Sequence, residues 1–419
     1  DLFCGAGRTS TGFEMTDGRA LVIACVNHDH NAIKSHWSNY PFVAHFKEDI
    51  RILDLSYLKI LVDFYRKLYP NAKVLLHASL ECTNFSKAKG GQPRDADSRT
   101  LADHLERYVQ VLNPDYITIE NVVEFMSWGP LDENGKPVSR RNGIDFMKWR
   151  SMINSYGYRD EWNELNSADF GAYTSRNRLF GVFVKNGLPI AWPVSTHGKV
   201  NKSAKQAKSS QGTFFDMQEL KPWKAVKEVL DFTDEGKSIF YRNKPLSDKT
   251  LERIYAGLIK YVAGGKDSFI LKYNSTSAKG VHHPPSVDEP CPTIACQGRL
   301  GVTFITKFYS GRPEGKVISV EEPAGTITTA TIAIRVDEGD SDIMLKIKEF
   351  MCLYNIVDIK MRMLKIMELL SIQGFPKGYV LIGNQSEQKK YIGNSVVPIV
   401  MKVLALSICD AIKDSICQR

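Results

Sequence analysis

The chain has 419 residues, 43% hydrophobic and 24% charged, ordinary proportions for a folded globular protein but too long for a single core. Its formal charge of +8 and pI near 8.9 admit a polyanionic partner without requiring one. Eight scattered cysteines without a C-x-x-C pair argue against a disulfide scaffold. With no apolar stretch near the ~20 residues of a membrane span and no signal peptide at the start, a cytoplasmic protein is expected.

In chain order, Asp1 opens a short strand that is expected to begin further upstream. The strand ends in Gly5-Ala6-Gly7 and leads into a helix. Further strands are predicted at Leu21–Val26, Val74–Ala78, Tyr116–Val122 and Leu179–Val184. Amphipathic helical stretches at Tyr57–Tyr69 and Leu101–Leu112 lie between them. Such alternation predicts an α/β fold, Rossmann-like, with a mostly parallel sheet and helices on both faces.

Beyond Lys185 the helical period fades. Lys199, Lys202, Lys205 and Lys208 recur among Ser, Gln and Asn, a pattern of a solvated face that also suits phosphates. "VDEPCPTIA" from Val287 is echoed by "VEEPAGTIT" from Val320, which predicts paired strand-turn elements in an irregular β-rich insertion. Helical periodicity returns after Leu345, and "SVVPIVMKVLALSICDAIKD" closes the chain as a helix with Pro398 in its first turns. The expected layout is a catalytic domain over 1–185, an insertion over 186–345, and a segment over 346–419 that completes the first domain.

Three features carry chemistry. Glycines at a strand-to-helix turn let a ligand approach the backbone, and the helix start offers free N–H groups; alone, this is a weak signal. Cys82, in "SLECTNFS", follows an apolar run but has polar neighbours on both sides, which argues against a core thiol and for a nucleophile at a strand tip. Arg176 and Arg178 are two apart and so point the same way on an extended segment. Cys291 and Cys296, the nearest cysteine pair, have no His or Cys beside them to complete a zinc set, so no metal is expected.

Taken together, "DLFCGAG", "KEDI", "ECTNFS", "ENV", "TSRNRLFGVF", "RMLKIMELLSIQGFP" and "YIGNSVVP" resemble, in order, the conserved blocks of the cytosine-5 DNA methyltransferases. The resemblance covers nearly all of the chain outside the middle segment. It implies S-adenosyl-L-methionine as cofactor, giving S-adenosyl-L-homocysteine, and methyl transfer to carbon 5 of a cytosine flipped out of double-stranded DNA. On this likeness Cys82 attacks carbon 6, and Glu120, with Asn121 after it, meets N3 and the exocyclic amine if it keeps or shares a proton. Arg178 grips the cytosine O2, with Arg176 assisting the loop or a phosphate. The loop after Leu80, to about Arg99, acts as a closing flap.

For the cofactor, the likeness points to Phe3, Gly5, Gly7, Asp49, Ile50, Asn394 and Ser395. Asn27 stands where the family normally has a ribose-binding acid, which leaves His28 and Asp29 as alternatives. The chain also departs from the pattern at Arg8, Glu81, Thr83 and Met367. The middle segment is expected to read the DNA sequence, the protein to act as a monomer on DNA, and a cognate restriction endonuclease to share the bacterial or phage-infected cell. A transfer-RNA cytosine methyltransferase of the same fold, or a non-catalytic DNA-binding relative, are the competing readings.

Overall fold

The computed structural model describes residues 1–80, 101–130, 132, 138–139, 142–199, 220–273, 281–307 and 334–417. Leu2 forms parallel bridges to Val26 on one side and Ala78 on the other, so the opening residues sit in the middle of the main sheet. On Leu2's first side β1 (Ala24–Val26) pairs parallel with β2 (Ala44–Phe46). On its other side β3 (Leu75–Ser79) pairs parallel with β4 (Tyr116–Asn121). The strand Asn177–Lys185 runs antiparallel to β4, and β5 (Tyr158–Asn166) runs antiparallel to that strand at the edge. The sheet is therefore parallel except for one reversed strand, in keeping with the predicted Rossmann-like α/β class.

β4 is buried along its whole length, as the apolar run "YITIE" requires of a strand covered on both faces. The first helices are α1 (Arg8–Glu14), α2 (His30–Asn39), α3 (Ser56–Leu68), α4 (Leu105–Leu112) and α5 (Ile144–Ser155). Ile117 and Ile119 pack with Tyr108 of α4 and Trp149 of α5. Tyr116 faces the opposite way, into a second cluster with Phe13 of α1. Two strands escaped the sequence reading. β2 is only three residues long, and β5 is a polar edge strand whose exposed side chains give no apolar run.

The middle and later helices are α6 (Asp248–Gly257), α7 (Asp342–Leu353), α8 (Ile366–Gln373) and α9 (Gln385–Gly393), followed by α10 (Pro398–Cys417). α10 returns to the first sheet and lies on α1. A side chain at Gly12 would put its Cβ 2.5 Å from both Met401 Cβ and Pro398 O, so the close helix approach depends on glycine there. The stretch Gln385–Cys417 does contain a window long and apolar enough to cross a bilayer, which corrects the sequence scan. Half of that window is buried, and Val400, Met401, Leu404 and Ile408 belong to the core beneath α1.

A second, antiparallel sheet has the order Lys237–Ser238, Ile356–Met363, Leu300–Lys307, Ser268–Lys272. Strand Ile356–Met363 thus lies inside this sheet although it follows the expected boundary at residue 345. α6 and α7 pack on it through Leu251, Ile254, Ile347 and Phe350, so the middle region is less purely β than its sequence texture suggests. The first copy of the internal echo contributes Cys291–Pro292, which pairs parallel with Thr174–Ser175 of the first body. The copy from Val320 lies outside the described residues.

Glu368 of α8 is nearly buried and joins these parts. Its carboxylate accepts from Arg362 Nη1 and Nη2 at 2.7 and 2.8 Å, and from the Lys365 and Asp231 N–H groups at 2.7 and 2.8 Å. Removing one charge of such a pair strands the other in low dielectric. Glu368→Gln should therefore cost about 3 kcal/mol of unfolding free energy, read from the urea midpoint at unchanged slope.

Candidate active site

Two hollows flank the first sheet. The larger, about 750 Å³, lies at the N-terminal ends of the strands between Leu21–Ala24, Lys73–Leu75 and α10. The smaller, about 150 Å³, opens at their C-terminal ends, where ligands of open α/β sheets bind. Size favours the first. The second is the candidate site because charged groups from five separate stretches of the chain converge on it.

One wall comes from the opening turn. Phe3 holds φ +58°, a costly conformation for a bulky residue, and Gly5 and Gly7 follow at +55° and +98°. Phe3 and Gly5 line the cleft; Gly7 does not, because it caps α1 and faces Tyr379, whose hydroxyl would lie 2.3 Å from a Cβ there. Arg8 crosses the cleft, its guanidinium donating to Phe3 O at 3.1 Å and to Asn394 O. The departure at Arg8 thus ties the first block to the last.

Asn27 and His28 line the same cleft. Asn27 Oδ1 accepts from the Asp29 N–H at 2.9 Å, so its side chain shapes the turn as well as facing the cavity. Asp29 caps α2 through the Asn31 and Ala32 N–H groups and accepts from Tyr391 Oη at 2.9 Å. Burial alone would raise its pKa, but those hydrogen bonds and the nearby Lys390 charge hold it below the usual carboxylate value. Tyr391 and Lys390, missed in the sequence, also line the cleft; Tyr391 heads "YIGNSVVP" and Lys390 directly precedes it.

The other wall holds the strand ends Ser79, Leu80 and Glu120 with Arg176 and Arg178. Glu120 and Arg176 are 6% and 3% exposed, burial that a purely solvated role does not explain. Arg178 Nε lies 3.2 Å from Glu120 Oε1, and the two arginines share one face while Asn177 between them is exposed. Below, His77 bridges Ser79 Oγ and Thr118 Oγ1 at 2.9 Å each. Burial, and then the Arg8 charge, push its pKa well down, so this ring stays neutral.

Besides Gly7, four expected residues stand outside the lining. Asp49 is taken up by Arg51, whose guanidinium reaches its carboxylate at 2.6 Å and is the main cause of its lowered pKa. Ile50 is a core side chain, and buried Ser395 donates to Ile392 O at 2.6 Å. Asn121 is buried, with Oδ1 accepting from the Val122 N–H; its Nδ2 has no partner among the described residues. Asn394 lines the cleft and accepts from Cys296 Sγ at 2.6 Å, a contact from the far side of the chain that the sequence did not suggest. Cys82, with Glu81, Thr83 and the expected flap, lies outside the described residues.

A family model described as C-5 cytosine-specific DNA methylase matches residues 1–410. Among known proteins the chain is similar to the Type II methyltransferase M.DdeI of Desulfomicrobium norvegicum, 26% identical over 47% of this chain and 42% of that one. It is likewise similar to M.AgeI of Thalassovita gelatinovora, 25% identical over 56% and 51%, and to M.Bsp6I of a Bacillus species, 27% identical over 68% and 79%. The match thus spans about half the length of the first two. Among solved structures, a DNMT2 mutant of Spodoptera frugiperda superposes with TM-score 0.52 at 16% identity over 98% of both chains. The methyltransferase EhMeth of Entamoeba histolytica gives 0.53 at 15% over 98% and 96%. At such identity these two establish likeness of fold.

Arg8→Ala should loosen the junction of first and last blocks. Losing charge-assisted bonds to two carbonyls should lower stability by about 2 kcal/mol. Hydrogen exchange should quicken at 391–395 while that of β4 keeps its rank; unchanged exchange there would show that the guanidinium does not hold the blocks together.

Proposed function

We propose a function that starts from one plain fact: the chain belongs to the C-5 cytosine-specific DNA methylase family. It transfers a methyl group from S-adenosyl-L-methionine to carbon 5 of cytosine in a specific duplex DNA sequence. The observation that carries this reading is the convergence, in one cleft, of Phe3, Gly5 and Asn394 with Glu120, Arg176 and Arg178.

The cleft suits the cofactor. Phe3 offers an aromatic face, Gly5 bare backbone, and Asn27, His28 and Asp29 polar groups at the rim. Arg8, with a buried Nε that has no partner among the described residues, offers a cation to the methionine carboxylate. Asp49 would have to leave Arg51 to take the adenine amine. When bound, S-adenosyl-L-methionine supplies an electrophilic methyl group on a sulfonium.

Cytosine carbon 5 is too poor a nucleophile to react unaided, and it is stacked inside the duplex. The base must be flipped into the pocket. Cys82 then adds as thiolate to carbon 6, and carbon 5 gains enamine character. Glu120 and Arg178, 3.2 Å apart, suit adjacent edge atoms of one pyrimidine: Glu120 at N3 and the amine, Arg178 at O2. Arg176 steadies the loop or a phosphate, and Asn121 supports the turn after Glu120. Loss of the carbon 5 proton lets the thiolate leave and restores the aromatic ring.

The segment 186–345, together with the strand Ile356–Met363, reads the DNA sequence. The protein acts as a monomer in a bacterial or phage-infected cytoplasm, beside an endonuclease of the same specificity. The Type II methyltransferase names of the relatives support DNA as the substrate; the remaining readings go with the proposal.

The test is transfer of tritiated methyl to duplex DNA and, in parallel, to transfer RNA. Duplex DNA should be labelled and transfer RNA not; the reverse result would move the substrate to RNA. Duplexes containing 5-fluorocytosine should trap a covalent adduct on the peptide containing Cys82, and Cys82→Ser should form none. Glu120→Gln should lower the rate at least about a hundredfold while leaving DNA affinity within a few-fold.

A further inference from the structure

Beneath the opening turn, outside the cleft, three buried side chains meet: Cys4, Cys25 and His36, whose ligand atoms all lie within 4.8 Å of one another. His45 stands next to this group, its Nε2 2.8 Å from His36 Nδ1. Four separate elements supply them: the turn before α1, β1, α2 and β2. The reaction proposed above uses none of the four.

The surroundings set the histidine. His36 Nε2 is 2.8 Å from Ser10 Oγ, which donates to Asp1 Oδ2 at 3.4 Å. With the hydroxyl proton committed to the carboxylate, Ser10 accepts from His36 Nε2–H, which leaves the Nδ1 lone pair on the side of His45. A carboxylate-backed histidine held in one tautomer is the usual outer shell of a metal site. Ser10 and His36 are fully buried, and His45 is half-buried.

We propose that Cys4, Cys25, His36 and His45 form a tetrahedral Zn²⁺ site that staples the cofactor turn to β1, β2 and α2. Two sulfurs and two imidazole nitrogens are a soft-to-borderline set, which selects zinc over magnesium or calcium. Zn–S bonds of ~2.3 Å and Zn–N bonds of ~2.0 Å put tetrahedral ligand atoms roughly 3.3–3.8 Å apart, inside the 4.8 Å span of Cys4, Cys25 and His36; His45, which lies outside that mutual span, completes the set by turning in from beside His36. Binding releases the two thiol protons to solvent, and two thiolates neutralise the dication, which suits a buried location. The site is structural: all four positions are filled by protein, with none left for substrate.

The full chain, made without a histidine tag in zinc-containing medium and desalted, should carry about one zinc per chain by mass spectrometry of the metal. Cobalt substituted for it should give thiolate-to-cobalt absorption with ligand-field bands of tetrahedral intensity. Cys4→Ala should weaken the thiolate absorption to about half, and His45→Gln, at the least buried ligand, should weaken zinc binding at least about tenfold. Should Cys4→Ala fail to fold, His45→Gln carries the test. A chain with less than about a tenth of an equivalent of zinc and no cobalt bands overturns the site. So does a Cys4–Cys25 disulfide in the peptide map, or zinc binding that neither variant changes.

Discussion

Everything in the first body depends on α1 and α10 touching backbone to backbone. Gly12 permits it, because any side chain there would collide with Met401 and the Pro398 carbonyl. That contact brings the end of the chain under its beginning. Only then can Asn394, Tyr391 and Lys390 reach the turn that carries Phe3, Gly5 and Arg8. The cleft is thus a property of two distant segments held in register, and no local stretch contains it.

The same convergence explains the charge arrangement. A buried glutamate and two buried or half-buried arginines would burden a core of this size unless each had a partner. Glu120 and Arg178 serve one another at 3.2 Å, and Arg176 reaches Ile294 O at 3.4 Å across to the second body. The pairing keeps both groups at the cleft without exposing them, opposite a wall that Phe3 shares with Arg8. Arg8, an oddity when read as a departure from a motif, is a tie between carbonyls from opposite ends of the sequence.

The central strand could be read from "YITIE" because continuous burial demands a continuous apolar run, and α10 because its helical period is long. β5 could not, since an edge strand with alternate exposed polar residues looks like a loop. Strand Ile356–Met363 was not read from the sequence, because nothing in its composition says which sheet it joins. Residues named by block position arrived at the cleft where the block itself forms the strand end, as at Glu120, Arg176 and Arg178. Asp49 stands outside the lining, where Arg51 holds its carboxylate. The thiol–imidazole cluster left no trace, since its four members come from four elements without any local spacing.

Strand Ile356–Met363 has a temporal meaning as well. It lies between Lys237–Ser238 and Leu300–Lys307, so the second sheet stays split until this late stretch leaves the ribosome. The first body waits longer still, for α10. Each body therefore closes only once its most distant segment has been made, and until then the nascent polypeptide holds unpaired strand edges. Exchange of the middle module between relatives meets the same constraint: a crossover placed before residue 356 would deliver a sheet without its inner rung.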